Sequence, residues 1–238
     1  MQKQALAKQQ TQQRLQQRSL RSLRSVRLSA LLAPVLVSLL AACSTPGPQL
    51  DANMLPAIPP PATLTLDVRS TALLVLDINE VVCRPNPDCM ATVPAITALL
   101  NKARAAGIPV LYSSTSGPNG TVPTLTEVAP RAGEPVVVSR ANKFIGNDLE
   151  ELLRQRKVST LVLVGSAANG AVMYSAFHAN TKGFTTVIAE DGLSSPKPIN
   201  TVLARYQLLN QPGFYNSDNT PLADKRATLS RSNLITFR

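Results

Sequence analysis

One histidine, three cysteines and no tryptophan occur in 238 residues, and aromatic side chains make up only 4% of the chain. A zinc site draws three or four ligands from clustered Cys, His, Asp or Glu. His178 stands alone, with no His/Asp cluster, so no metal is expected and no cofactor is implied. Long apolar runs are missing too. A membrane-spanning helix takes about 20 apolar residues. The apolar run at residues 28–42 has 15, and Pro34 interrupts it. Acid is absent from the first 27 residues, which carry Lys3, Lys8, Arg14, Arg18, Arg21, Arg24 and Arg27. Those seven cations account for most of the net charge of +10; without them 17 Lys+Arg face 14 Asp+Glu, or +3. The remaining cations are scattered and form no basic cluster with interleaved aromatics, so nucleic-acid binding is not expected.

A basic start, a short apolar stretch and small residues before a processing point form the pattern of a secretory signal. Here the stretch ends in Leu40-Ala41-Ala42-Cys43, followed by Ser44-Thr45-Pro46-Gly47-Pro48. This resembles the lipobox of bacterial lipoproteins. The resemblance implies cleavage before Cys43, lipidation of that cysteine and a membrane anchor made of lipid. Ser44 resembles the outer-membrane default, which implies a lipid-anchored protein on the periplasmic face of the cell envelope. Residues 1–42 are then the signal peptide, and residues 43–61 a linker held extended by Pro46, Pro48, Pro56, Pro59, Pro60 and Pro61. Residues 62–238 are one domain's worth of chain, with no internal repeat.

Within that domain, strand and helix patterns alternate. Residues 72–78 form an unbroken apolar run but for Asp77, as expected of a strand covered on both faces. The spacing of Ile96, Leu99, Leu100 and Ala103 predicts a helix over 93–106, stopped by Gly107. Strands are expected at 108–112, 135–139, 160–164, 185–189 and 234–237. Helices are expected from the Asn147-Asp148 cap to 156, and at 171–182 and 199–209. The order predicts an α/β fold, a three-layer α/β/α sandwich with a mainly parallel, Rossmann-like sheet. Ligands in such folds bind beyond the carboxyl ends of the strands.

Three such ends carry something. Asp77 closes the first strand; alone it reads as a turn or cap aspartate. Lys143 follows the strand at 135–139; alone it reads as a solvated loop lysine. Gly165-Ser166-Ala167-Ala168-Asn169-Gly170-Ala171-Val172 passes from strand to helix through small residues. It is either a tightly packed turn or a helix start whose N–H groups face a ligand oxygen.

In this order, residues 71–77, 143–153, 161–172 and 190–195 resemble the isochorismatase-like hydrolases, also called cysteine hydrolases. The resemblance implies that Asp77 and Lys143 are the catalytic acid/base and lysine. It places the substrate and oxyanion near Ala167, Ala168, Asn169, Gly170 and Asn79. It also implies a cis peptide in the turn, expected at Ala167–Ala168, and a small-molecule substrate or ligand. Many members form homo-oligomers, which the resemblance extends to this chain without fixing a number.

The departures bear on activity. Six residues after Gly165 the family carries its nucleophilic cysteine; here that position is Ala171, and a methyl group cannot attack a carbonyl. Ser175 lies one helical turn further, about 6 Å along the axis, and is a poor substitute. Asn79 stands where nicotinamidases carry a metal-binding histidine. True isochorismatases also lack the cysteine and split a vinyl ether with their aspartate. Two readings follow. One is a hydrolase using Asp77 and Lys143 without a covalent intermediate. The other is a catalytically inactive relative, a pseudoenzyme that binds a small molecule or an envelope partner. Cys83 and Cys89 bracket Arg84-Pro85-Asn86-Pro87-Asp88; an oxidising compartment permits a disulfide there, and two free thiols are the alternative.

Overall fold

A computed structural model describes residues 57–238. The expected signal peptide, the lipidation candidate Cys43 and most of the Pro-rich linker lie outside the described residues. Six parallel strands form the central sheet, in the order β6-β3-β2-β7-β8-β9. They are β2 (Thr71–Leu76), β3 (Val110–Ser114), β6 (Val136–Val138), β7 (Thr160–Ser166), β8 (Thr185–Ser194) and β9 (Ala227–Ser230). Every residue of β2 is buried, because β2 lies between β3 and β7 with helices over both faces. Side-chain alternation then divides the core. Leu74, Leu76, Leu161, Leu163 and Ile188 face α3 (Leu149–Gln155), α4 (Met173–Thr181) and α5 (Pro198–Leu209). Leu73, Val75, Val162, Val164 and Val187 face α2 (Pro87–Ala105). The described residues therefore form the three-layer α/β/α sandwich expected from the alternating pattern.

Several boundaries differ from the sequence reading. Helix α2 begins at Pro87, well before 93, because Asn86 accepts from the Asp88 N–H as N-cap and Pro87 suits the first turn. A four-residue helix, α1 (Glu80–Cys83), precedes it. Strand β8 continues to Ser194, and a register shift against β7 takes residues 190–192 out of step. Residues Ile235–Phe237 (β10) do not join the main sheet; they pair in parallel with β1 (Leu64–Leu66). Strand β9, half of it polar, was missed. Asn147, not Asp148, caps α3: its Oδ1 accepts from the Leu149 N–H, whereas Asp148 makes no capping bond.

Gly165 permits the close pairing that sets up the site. It lies opposite Leu76 on β2, and a Cβ there would sit 2.7 Å from the Leu76 Cβ and closer still to its carbonyl oxygen. The strands thus approach where β2 ends in Asp77 and β7 enters the small-residue turn.

Candidate active site

Asp77 leaves β2 with φ +54°, in the left-handed region that aspartate tolerates better than most residues. Its N–H donates to the Ser113 carbonyl at 3.1 Å, continuing the sheet ladder. The turn directs the carboxylate into a buried position, 5% exposed. Oδ1 accepts from the Ser113 hydroxyl at 2.9 Å, and Oδ2 lies 2.6 Å from the Lys143 ammonium. Burial pushes the Asp77 carboxyl above its ordinary value, while Lys143 and Ser113 pull the other way.

Lys143 is not a solvated loop lysine; it is 0% exposed. Its Nζ also donates to the Ser139 carbonyl at 3.0 Å, and its backbone N–H donates to Ser175 Oγ at 3.0 Å. The loop around it is tied at several points. The Phe144 N–H donates to Asn142 Oδ1, Asn147 Nδ2 donates to the Lys143 carbonyl, and Phe144 stacks on His178 with centroids 5.0 Å apart. The lysine is thus delivered to Asp77 from two strands away by a fixed backbone. Ser175, weighed as a stand-in nucleophile, is a fully buried support for that backbone.

The turn after β7 holds a cis peptide at Ser166–Ala167, one bond earlier than expected. The Ala167 carbonyl accepts from the N–H groups of Gly170 and Val172, and residues Ala168–Val172 make a single π-helical turn leading into α4. Ala168 is fully buried, while Ala171 retains 4% exposure. Asn169 Oδ1 accepts from the Ser195 hydroxyl at 3.3 Å, tying the turn to the end of β8.

Asn79, expected near the substrate, is engaged within the protein. It is 0% exposed; its Oδ1 accepts from the Val82 N–H as the cap of α1, and its Nδ2 donates to Ser114 Oγ. Cys83 and Cys89 form a disulfide that joins α1 to the first turn of α2. His178 turns to Phe144, with Nδ1 3.1 Å from Asn142 Nδ2; burial holds its ring below the usual histidine value, Lys182 adds to this and Glu150 opposes it. Among the described residues no group of three His, Cys, Asp or Glu could hold a metal.

Residues 71–213 match the isochorismatase domain. The chain belongs to the isochorismatase family. It is 28% identical over 139 residues to an N-carbamoylsarcosine amidase of Arthrobacter sp, covering 47% of this chain and 53% of that protein. It is 31% identical over 114 residues to a secreted isochorismatase effector of Verticillium dahliae, covering 43% of this chain and 60% of the effector. The matched segment thus spans little more than half the length of these two relatives. The N-carbamoylsarcosine amidase of Thermoplasma acidophilum has the same fold, with a TM-score of 0.59 at 22% identity over 69% of this chain and 97% of that one. A cysteine hydrolase of Pseudomonas syringae superposes with a TM-score of 0.61 at 16% identity over 73% of this chain and 94% of that one.

Within this isochorismatase fold, Asp77 and Lys143 come together, with the turn carrying Ala171 entering from the strand beside Asp77. Ser113, Ser139 and Ser175, which hold the pair, went unread in the sequence. The signal for Ser113 was present: a serine ending the apolar strand Val110-Leu111-Tyr112-Ser113-Ser114 would need a buried partner.

Proposed function

We propose that this chain is a cysteine-independent hydrolase of the isochorismatase family, with Asp77 as general acid/base and Lys143 as its charge partner. We propose further that it works at the cell envelope, held by lipid on Cys43, on the strength of the basic start and lipobox-like residues 40–43. The observation that carries the catalytic reading is the buried Asp77–Lys143 pair at the carboxyl end of the sheet. A carboxyl raised by burial keeps a proton to higher pH, as a general acid requires. The named activities of the relatives, an amidase and an isochorismatase effector, supply two substrate classes: small amides and vinyl ethers.

The vinyl ether fits a site without a thiol. Asp77 gives its proton to the terminal methylene carbon of the enol ether. The ether oxygen supplies the electron pair that forms an oxocarbenium ion. Water adds to the cationic carbon and returns one proton to Asp77. The hemiketal then collapses to a ketone and an alcohol. No bond to the protein forms, so a methyl at position 171 is no obstacle. Lys143 stabilises the carboxylate left after the first transfer.

Binding without turnover is the second reading, favoured by one observation: nothing nucleophilic stands at position 171. The test is hydrolysis of isochorismate and of a panel of small amides by the purified protein, beside Asp77→Asn. Loss of a general acid lowers the rate by about 10²–10⁴-fold. Turnover that falls by this much in the variant supports the hydrolase. No turnover on any substrate favours the binding protein, and thermal-shift titration with the same panel then follows.

A further inference from the structure

We propose that Ser113 is a positioning residue for Asp77: its hydroxyl fixes the plane of the carboxyl and follows the proton on and off it. The inference rests on the reading of Asp77 as the acid/base.

Ser113 is placed by the sheet. Parallel pairing sets it opposite Leu76, and its carbonyl accepts from the Asp77 N–H. On β3 it shares a face with Leu111, which belongs to the same core layer as Leu74, Leu76 and Ala171, on the side of the sheet covered by α4. The next residue, Ser114, points to the other face and donates to the Val122 carbonyl. A buried strand facing helices would ordinarily carry an apolar side chain there. Ser113 is 2% exposed, and its donor goes to Asp77 Oδ1.

The two partners of Asp77 differ in kind. An ammonium can only donate. A hydroxyl has one donor and two acceptor lone pairs, so it donates to the carboxylate and, after rotating, accepts from the protonated acid. Ser113 can therefore stay bonded to Oδ1 whether or not that oxygen carries the proton, whereas Lys143 can only donate, to an oxygen that remains an acceptor. Few other charges compete. Among the described residues Lys143 is the one charged group that moves the Asp77 carboxyl. On α1, Glu80 is paired with Arg84. On α4, His178 is engaged with Phe144 and Asn142, and Tyr174 is exposed. The turn after β7 presents Ser166, Ala167, Ala168 and Asn169, none of which is charged.

The test is a titration of the Asp77 side-chain carboxyl by ¹³C NMR in the full chain, using Ser113→Ala, Ser113→Cys and Ser113→Thr. Cysteine keeps the shape with a weaker donor, and threonine keeps the hydroxyl. The bond to the charged carboxylate is the stronger of the two, so losing both raises the midpoint; the expected shift is about one pH unit upward in Ser113→Ala, smaller in Ser113→Cys and near zero in Ser113→Thr. If the protein turns over a vinyl ether, the high-pH fall in kcat moves up by the same amount, which a general loss of structure would not produce. A folded Ser113→Ala with an unmoved midpoint overturns the proposal; if that variant does not fold, the Ser113→Cys midpoint decides in the same way. A shifted midpoint in a protein with no turnover keeps the Ser113 assignment and rejects the hydrolase reading instead.

Discussion

Replacing Lys143 with methionine should cost far more than removing a surface lysine, and the loss should depend on pH in one direction. The pair is buried on both sides, with side chains 0% and 7% exposed. Lys143→Met keeps most of the volume but leaves the Asp77 carboxylate with Ser113 as its only side-chain partner among the described residues. Breaking a buried ion pair from one side destabilises by about 3–5 kcal/mol, because the remaining charge is uncompensated. Removing both charges with Asp77→Asn/Lys143→Met should return the protein to within about 1 kcal/mol of the wild type, since a buried pair contributes little net stability. The sign of the pH effect follows from Asp77. Its folded value is already raised by burial, and loss of Lys143 removes the main opposing effect. A carboxyl raised in the folded state binds more protons folded than unfolded above its unfolded value of 3.8. Stability is then fully present below that value and is lost as pH rises through the folded one. The Lys143→Met deficit should therefore be largest at neutral pH and shrink towards acid. Urea melts of the wild type and the two variants, at neutral pH and at about pH 4, measure this. A neutral-pH loss below about 1 kcal/mol, or a deficit that does not shrink in acid, would refute the reasoning.

Two further outcomes follow from the frame around the pair. Gly165→Ala puts a Cβ against the Leu76 carbonyl and Cβ, both held by the sheet; overpacking of this kind destabilises by about 2 kcal/mol, a Tm fall of roughly 4–8 °C by calorimetry, and an unchanged Tm would show that β2 and β7 can separate freely. Opening the Cys83–Cys89 loop by Cys83→Ala/Cys89→Ala should lose about 2 kcal/mol in the chain-entropy account; equal masses of the alkylated wild type with and without prior reduction would show that no bridge forms.

Much of the architecture was legible because its signals are local. The apolar runs of β2 and β7 can only be strands covered on both faces, and α2 shows its buried face in Ile96, Leu99, Leu100 and Ala103. The placing of Asp77 and Lys143 at one end of the sheet was legible because each follows a strand of the parallel sheet. Strand β9 was not, since Thr228 and Ser230 hide its burial behind polar side chains. The cap formed by Asn79 was not either: an asparagine two residues after a strand-end aspartate reads the same whether it meets a ligand or caps a helix.

The sequence by itself determined the alternation of strand and helix, the identity of the two charged residues and the methyl at position 171. Those follow from side-chain chemistry and periodicity along one stretch of chain. Only the tertiary structure decided that Lys143 is buried, that it lies 2.6 Å from Asp77, and that three serines hold the two in place. Asp77, Ser113 and Lys143 come from three different segments, and the order β6-β3-β2-β7 brings them to one end of the sheet. Contacts between segments so far apart in sequence depend on which strands become neighbours. Burial then fixes their energetics, because the ionisation of a carboxyl depends on the water and charges around it rather than on the residues beside it in the chain.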